Sequence, residues 1–241
     1  MLISILALVI AYLIGSLPLG SALIKGTTGK NAQTFSAHNL GVENLLHFIG
    51  APIAFASFFL DILKAFIALA LFEGNPWAAL GVYVGHLYPL PLFPELPRGR
   101  GNGVLLGVLA AWWAFGTLPW WLTVLPVAVY VAILTASGYV ALATLGSLFA
   151  TLATLGLARA ELSVIAIMAG ISLVALWRHK VSVARILDKT EAKLGEPPAV
   201  HGLDPNVVLA AFMIHPISID DLWQPRSLRW LRTVLRNKLL P

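Results

Sequence analysis

The sequence predicts an all-α protein that crosses a membrane about seven times. Of the 241 residues, 59% are hydrophobic and only 11% are charged. A soluble domain carries roughly 25% charged residues. Long uncharged runs alternate with short loops that contain Pro, Gly or charge, and a hydrocarbon core about 30 Å thick is crossed by ~20 apolar residues. Lipid is therefore the predicted solvent of most of this chain.

Hydropathy, with Pro, Gly and charge as boundaries, places the predicted spans. They cover residues 2–24, 51–72, 76–93, 103–117, 118–135, 138–157 and 162–177. The first run has no basic region before it and no convincing small-residue cleavage site after it, so we expect a retained helix and not a signal peptide.

Basic residues in the loops predict the orientation. Lys25 and Lys30 follow the first span, Arg98 and Arg100 follow the third, and a basic cluster at 178–193 follows the seventh. With seven spans these loops share one side, which the positive-inside rule makes cytoplasmic. An outside amino terminus and a cytoplasmic carboxyl terminus are therefore expected.

The end of the chain predicts a short cytoplasmic extension. Residues 1–195 form the predicted membrane domain, and residues 196–241 form a polar linker and a basic segment. Arginines at three- or four-residue spacing lie opposite Leu and Trp in that segment: Arg226, Arg229, Arg232 and Arg236. This pattern is typical of an amphipathic helix on anionic lipids, with a small solvated cap as the alternative. Nucleic-acid binding is the less favoured explanation of the basic charge.

Two charged residues, Asp61 and Lys64, lie inside the second predicted span. Each costs ~2.5–3.5 kcal/mol at the centre of a membrane helix. Their i, i+3 spacing places them on one face, where they can neutralise one another. A structural ion pair is the expectation, and a proton or ion relay is the alternative.

The absence of cysteine excludes disulfides, thiolate nucleophiles and thiolate metal sites. Ser36 or Ser137 could be imagined with His38 or His179 as a hydrolytic triad, but no Gly-x-Ser-x-Gly motif accompanies them. A serine hydrolase is therefore disfavoured.

A glycine-rich basic loop is the strongest candidate for ligand binding. Residues 97–104 read P-R-G-R-G-N-G-V and open a predicted helix. Glycines on alternate positions let backbone N–H groups turn toward an anion, while the helix start and Arg98 and Arg100 add positive charge. The predicted ligand is phosphate or a phosphorylated headgroup, although any tight cytoplasmic turn can have this composition.

Several short motifs follow one another along the membrane domain. Residues 11–20 read A-Y-L-I-G-S-L-P-L-G, and residues 61–64 read D-I-L-K. Further motifs are N-L-G-V-E-N at 39–44, G-H-L-Y-P at 85–89, G-N-G-V at 101–104 and G-Y-V-A-L-A-T-L at 138–145. In this order, and with the segment from Arg178 to Glu191, they resemble the PlsY family of acyl-phosphate-dependent glycerol-3-phosphate acyltransferases, whose first motif is A-Y-L-I-G-S-I-P-F-G. The resemblance covers residues 5 to about 195.

The resemblance implies a bacterial inner-membrane enzyme that transfers a fatty acyl group from acyl phosphate to glycerol 3-phosphate, forming lysophosphatidic acid at the inner leaflet. It implies no metal and no organic cofactor. Because acyl phosphate is already activated, the protein mainly has to hold two anions side by side and neutralise developing charge.

Carried onto this sequence, the resemblance implies catalytic roles for Asn39, His179 and Ser36. The family's serine position itself reads Ala37, and Ser36 lies one place before it. The resemblance also implies that phosphate is bound by residues of three cytoplasmic motifs: Asn44, His47, Arg98, Arg100, Gly101, Asn102, Gly103 and Thr144.

The sequence departs from the family mainly at these anion-binding positions. Glu43 stands in place of threonine, His47 in place of arginine and Asn102 in place of lysine. Loss of two cationic contacts weakens phosphate binding, because each is worth about 1.5–3 kcal/mol. Two alternatives therefore stay open: a diverged relative with another acceptor or no catalysis, and a small-molecule or lipid transport or binding protein.

Overall fold

The computed structural model describes residues 1–29, 31–32, 41–42, 45–46, 49–90 and 99–194. In this part the chain forms helices and no strand, which confirms the predicted all-α class. The helices, in chain order, are α1 (Leu2–Ser16), α2 (Leu19–Thr28), α3 (Ala51–Ala70), α4 (Pro76–Leu87), α5 (Asn102–Ala114), α6 (Trp120–Ser137), α7 (Val140–Leu157) and α8 (Leu162–Leu187). Some predicted site residues lie outside the described residues: Ser36, Asn39, Asn44, His47 and Arg98. The extension at 196–241 lies outside them as well.

The first predicted span is broken into α1 and α2. Pro18 has no N–H to donate, and Leu17 before it takes an extended conformation with ψ 126°, as a residue preceding proline prefers. The two halves together still form one apolar stretch, Leu2–Thr28. With these two halves counted as one, the described helices number seven, which fits the predicted number of crossings.

Four stretches are long and apolar enough to cross a bilayer by themselves: Leu2–Thr28, Ala51–Ala70, Val140–Leu157 and Leu162–Leu187. The other helices are shorter. Helix α4 ends at Leu87, six residues before its predicted end, because Pro89 disfavours helical dihedrals at Tyr88, which has φ −132°. At 12 residues, α4 is buried along most of its length among the other helices, where interrupted backbone is tolerated.

Helix α8 ends ten residues after its predicted end, at Leu187 instead of 177. Hydropathy marks where the hydrocarbon stops and not where the helix stops. The exposed Trp177, with Lys180 Nζ 3.5 Å from its ring centroid, is typical of the membrane interface. The last turns of α8 therefore project beyond the span and carry His179 with them.

Close helix contacts through glycine hold α1 against α4. A Cβ placed on Gly81 would lie 2.3 Å from the carbonyl oxygen of Leu8, and one on Gly85 would lie 2.2 Å from that of Tyr12. Small residues are the usual means by which membrane helices approach closely. This contact fixes α4, whose carboxyl-terminal end carries part of the candidate site.

Hydrogen bonds near the helix ends show which loops lie at the same end of the bundle. At one end, the Trp112 indole N–H donates to the carbonyl of Gly74 at 3.1 Å. At the other end, the N–H of Leu194 donates to the carbonyl of Gly138 at 2.8 Å. This second end gathers the segment after α8, the turn between α6 and α7, and the start of α5, all three of which were predicted to share one side.

Candidate functional site

The candidate site begins at the turn formed by residues 99–103, which leads into α5. Gly101 is the N-cap of α5 and has φ +86°, a left-handed conformation that glycine adopts without strain. As a glycine, Gly101 has no side chain with which to cap this helix end. The first N–H groups of a helix have no intrahelical acceptor and carry the positive end of its dipole. The start of α5 is therefore suited to an anion.

Arg100 lies beside this helix start in a network of ion pairs. Its guanidinium lies 3.3 Å from one carboxylate oxygen of Glu191, and the other oxygen accepts a hydrogen bond from Arg185. Glu191 is 7% exposed. One buried carboxylate thus holds two arginines, which leaves the group with a net positive charge.

The side chain of Asn102 connects three helices. Its carboxamide oxygen lies 2.9 Å from the Thr144 hydroxyl on α7, and its nitrogen lies 3.5 Å from the Tyr130 hydroxyl on α6. The Thr144 hydroxyl also lies 2.8 Å from the carbonyl of Val140. Asn102 and Thr144 are therefore brought together, with side chains that bond mainly to the protein itself.

His179 lies in the same region and is 1% exposed. Arg100, Arg178 and Glu191 are close enough to interact electrostatically with its imidazole. Its Nε2 has no hydrogen-bond partner in the part of the chain that the structure describes. Buried polar atoms in native proteins are nearly always bonded, so this nitrogen is suited to bonding a ligand.

Asp61 and Lys64 form an ion pair with 2.8 Å between Oδ1 and Nζ. The pair has a third member that the sequence analysis did not assign, because Lys64 Nζ also lies 2.8 Å from Nδ1 of His86 on α4. The side chains of Lys64 and Asp61 are 4% and 18% exposed, so the ammonium is the more deeply buried charge of the pair. We call these three residues the buried triad.

The structure thus brings together several predicted site residues at one end of the bundle: Arg100, Gly101, Asn102, Gly103, Thr144 and His179. The buried triad lies directly beneath them, because a Cβ on Gly103 would lie 2.8 Å from that of Asp61. Among the described residues, no group of three or more His, Cys, Asp or Glu side chains is arranged to hold a metal ion.

Comparison with known proteins places this arrangement in a family. The profile of the glycerol-3-phosphate acyltransferase family matches residues 5–189. The chain belongs to the glycerol-3-phosphate acyltransferase family.

Two relatives illustrate the similarity within the glycerol-3-phosphate acyltransferase family. The chain is 29% identical over 197 residues to the glycerol-3-phosphate acyltransferase of Mesorhizobium japonicum, covering 79% of this chain and 96% of the relative. It is 32% identical over 203 residues to that of Bordetella pertussis, covering 78% of this chain and 91% of the relative. The matches span nearly the whole length of both relatives.

Among solved structures, the chain is similar to PlsY (YgiH), described as an integral membrane glycerol 3-phosphate acyltransferase in its glycerol 3-phosphate form. The TM-score is 0.67 at 25% identity, covering 80% of this chain and 96% of the other. A second crystal structure of PlsY, in its lysophosphatidic acid form, has the same TM-score. This glycerol-3-phosphate acyltransferase family member is therefore a multi-pass membrane protein.

Sequence reasoning missed three contributors near the site, namely His86, Tyr130 and the pairing role of Glu191. His86 and Tyr130 are single polar residues in apolar runs, so their partners on other helices are not visible in the local pattern. Glu191 did carry a signal, because it is an acidic residue in a basic segment within a family motif. Only the fold shows that it faces Arg100.

Proposed function

We propose that this chain transfers a fatty acyl group from acyl phosphate to glycerol 3-phosphate and forms lysophosphatidic acid. One observation carries the proposal: in a member of this family, Arg100, the start of α5 at Gly101 and the Nε2 of His179 lie at one end of the bundle, and that Nε2 has no hydrogen-bond partner among the described residues. Positive charge, free N–H groups and a potential proton acceptor are what a phosphorylated alcohol needs in order to react.

Arg100 supplies the cation of the phosphate site. The family's lysine is replaced by Asn102, whose carboxamide bonds to Thr144 and Tyr130, so the side chain of Asn102 fixes the start of α5. Its backbone N–H and that of Gly103 then face the phosphate together with the Arg100 guanidinium. Glu191 holds Arg100 in place, and Arg185 offsets the charge of that carboxylate.

The reaction needs no covalent intermediate. The primary hydroxyl oxygen of glycerol 3-phosphate attacks the acyl carbonyl carbon, an ester C–O bond forms, and the bond between that carbon and the phosphate oxygen breaks. Inorganic phosphate leaves with the electron pair. His179 Nε2 accepts the hydroxyl proton during the attack and passes it to the departing phosphate, as a positioned general base does.

Residues outside the described part complete the proposed site. Ser36 and Asn39 belong to the catalytic group, and Asn44, His47 and Arg98 contribute to phosphate binding. Asn39 and Asn44 lie in the family motif at 39–44, and Arg98 lies in the glycine-rich basic loop at 97–104. Ser36 lies one place before the family's serine position, and His47 stands where the family has arginine. Two anions then sit side by side, with the helix start, the arginines and the polar loop sharing their charge.

We also propose that this end of the bundle faces the cytoplasm of a bacterial cell, with the amino terminus outside. The basic residues around it support this orientation. Residues 1–195 form the enzyme, and the basic extension at 196–241 contacts anionic lipids. Acyl phosphate reaches the site at the inner leaflet, where its chain stays in lipid.

Because the chain has no cysteine, single cysteines can test the orientation without background labelling. Glu161 and Asp188 flank α8, and both are exposed. A helix of 26 residues is about 39 Å long, so its ends lie on opposite sides of the bilayer. In intact spheroplasts, a membrane-impermeant maleimide is expected to label Glu161→Cys and to label Asp188→Cys only after lysis. The reverse pattern contradicts the orientation.

Replacing Arg100 by alanine is expected to raise KM for glycerol 3-phosphate roughly ten- to a hundredfold, because one charge-assisted hydrogen bond is worth about 1.5–3 kcal/mol. Arg100→Lys keeps the charge but loses the planar two-nitrogen contact, so an intermediate KM is expected. The exposed Lys25→Ala serves as the matched control for loss of a cation. An unchanged KM in Arg100→Ala excludes Arg100 from the phosphate site.

The function itself is tested by reconstitution in lipid vesicles with palmitoyl phosphate and labelled glycerol 3-phosphate. Lysophosphatidic acid and inorganic phosphate are expected in equal amounts. Palmitoyl-CoA serves as the control donor and is expected to give no product. Binding of glycerol 3-phosphate without product indicates a non-catalytic relative, and solute uptake into the vesicles without an acyl donor indicates a transport protein.

A further inference from the structure

The buried triad is tightly connected although the proposed reaction does not use it. Asp61 Oδ1 lies 2.8 Å from Lys64 Nζ, which lies 2.8 Å from His86 Nδ1. The side chains of His86 and Lys64 are 8% and 4% exposed. Burying charges in a membrane helix is costly, and such residues mark functional sites more often than stability sites.

The turn at 99–103 rests directly on this triad. A Cβ on Gly99 would lie 2.9 Å from Nε2 of His86, and a Cβ on Gly103 would lie 2.8 Å from that of Asp61. Between them, a Cβ on Gly101 would lie 2.7 Å from the Tyr83 ring. Each of the three glycines therefore packs against a different polar or aromatic side chain of α3 or α4.

Alternate residues of the turn therefore contact different parts of the bundle. The glycine positions face α3 and α4. The alternating residues point elsewhere: Arg100 contacts Glu191 in the segment after α8, and Asn102 contacts the α6–α7 pair. Because these residues share one short turn, the position of the turn on α4 affects the distance between Arg100 and Glu191. Lys64 bonds the imidazole at Nδ1 and thereby fixes Nε2 against Gly99.

We propose that Asp61, Lys64 and His86 are positioning residues that set the height of the turn at 99–103 for phosphate binding. The triad forms a rigid platform: the Asp61–Lys64 pair fixes the His86 ring, and the ring supports the backbone at Gly99. This inference rests on the proposed function for its purpose, but its geometry can be tested without turnover.

Two substitutions test the contact between the turn and the platform. Gly99→Ala adds a Cβ that collides with His86 Nε2. His86→Asn removes Nε2 and Cε1, and it keeps a polar atom near the Nδ1 position for Lys64. In the double variant the added methyl group gains the space that the ring vacated. Gly170→Ala is the matched control, because a Cβ there meets no atom within 4 Å.

Two measurements on the full-length protein report the height of the turn. The first is the rate at which trypsin cleaves after Arg100 in the reconstituted protein, and the second is the Kd for labelled glycerol 3-phosphate. Gly99→Ala is expected to raise both about tenfold or more, as overpacking of a close contact does. Gly170→Ala is expected to change neither.

The double variant decides the proposal. We expect Gly99→Ala with His86→Asn to return to within about threefold of His86→Asn alone, because residues in contact are coupled. If the fold-changes in cleavage rate and Kd in the double variant equal the product of those in the two single variants, the substitutions act independently and the proposal is overturned. If the His86→Asn protein does not accumulate, the Gly99→Ala variant alone decides. A cleavage rate and a Kd equal to those of the wild type then overturn the proposal. If the double variant shows coupled cleavage rates but the wild-type protein forms no lysophosphatidic acid, the proposed function is overturned. The positioning role of the triad is then still supported.

Discussion

Replacing His179 by alanine is expected to lower kcat for lysophosphatidic acid formation at least about a hundredfold, the range lost with a positioned general base. The imidazole is 1% exposed, and Nε2 makes no hydrogen bond to the described residues. Its removal therefore breaks no hydrogen bond to the described residues at that atom. KM for glycerol 3-phosphate is expected to change far less than kcat, because the phosphate is held elsewhere.

The measurement is steady-state kinetics in vesicles, with rates divided by the amount of folded protein from size-exclusion chromatography. His215→Ala is a suitable control, since that histidine lies beyond the matched residues 5–189. A His179→Ala variant with near wild-type kcat removes His179 from the reaction. If activity falls only in proportion to the amount of folded protein, His179 has a structural role.

Replacing Lys64 by methionine is expected to lower the free energy of unfolding by about 3–5 kcal/mol, the usual result of removing one partner from a buried ion pair. Methionine has nearly the same length as lysine, so packing changes little. The loss comes from Asp61, whose carboxylate no longer has the ammonium 2.8 Å away. The measurement is the unfolding of the detergent-solubilised protein, monitored by thermal aggregation or by denaturant titration.

A double variant that removes both charges tests whether the unpaired Asp61 carboxylate causes this loss of stability. Lys64→Met combined with Asp61→Asn neutralises both partners at nearly constant shape, and this double variant is expected to recover most of the stability. Lys180→Met is the matched control, because Lys180 stacks on the exposed Trp177 and not on a carboxylate. A double variant that is less stable than Lys64→Met contradicts the ion-pair explanation.

Hydropathy was sufficient to predict the number of crossings, because lipid selects apolar runs of a set length. It could not predict that α1 ends at Ser16, that α4 ends at Leu87 or that α8 reaches Leu187. The first two depend on prolines inside apolar runs. The third depends on a helix that continues past the membrane into polar sequence, where hydropathy no longer reports secondary structure.

The site was predictable in part because its residues cluster in loops with a clear chemical pattern. The turn at 99–103 was identified from glycine and arginine alone, and the structure adds that its glycines also pack against α3 and α4. The partnership between Arg100 and Glu191 spans 91 positions in sequence. No local pattern encodes such a pairing, and the same holds for His86 beside Lys64.

A crystal or electron cryomicroscopy structure with glycerol 3-phosphate bound tests the central claim most directly. The account predicts the phosphate in contact with the Arg100 guanidinium and the first backbone N–H groups of α5, with His179 Nε2 bonded to the glycerol hydroxyl. A phosphate bound at the opposite end of the bundle, or out of contact with both Arg100 and His179, contradicts the account.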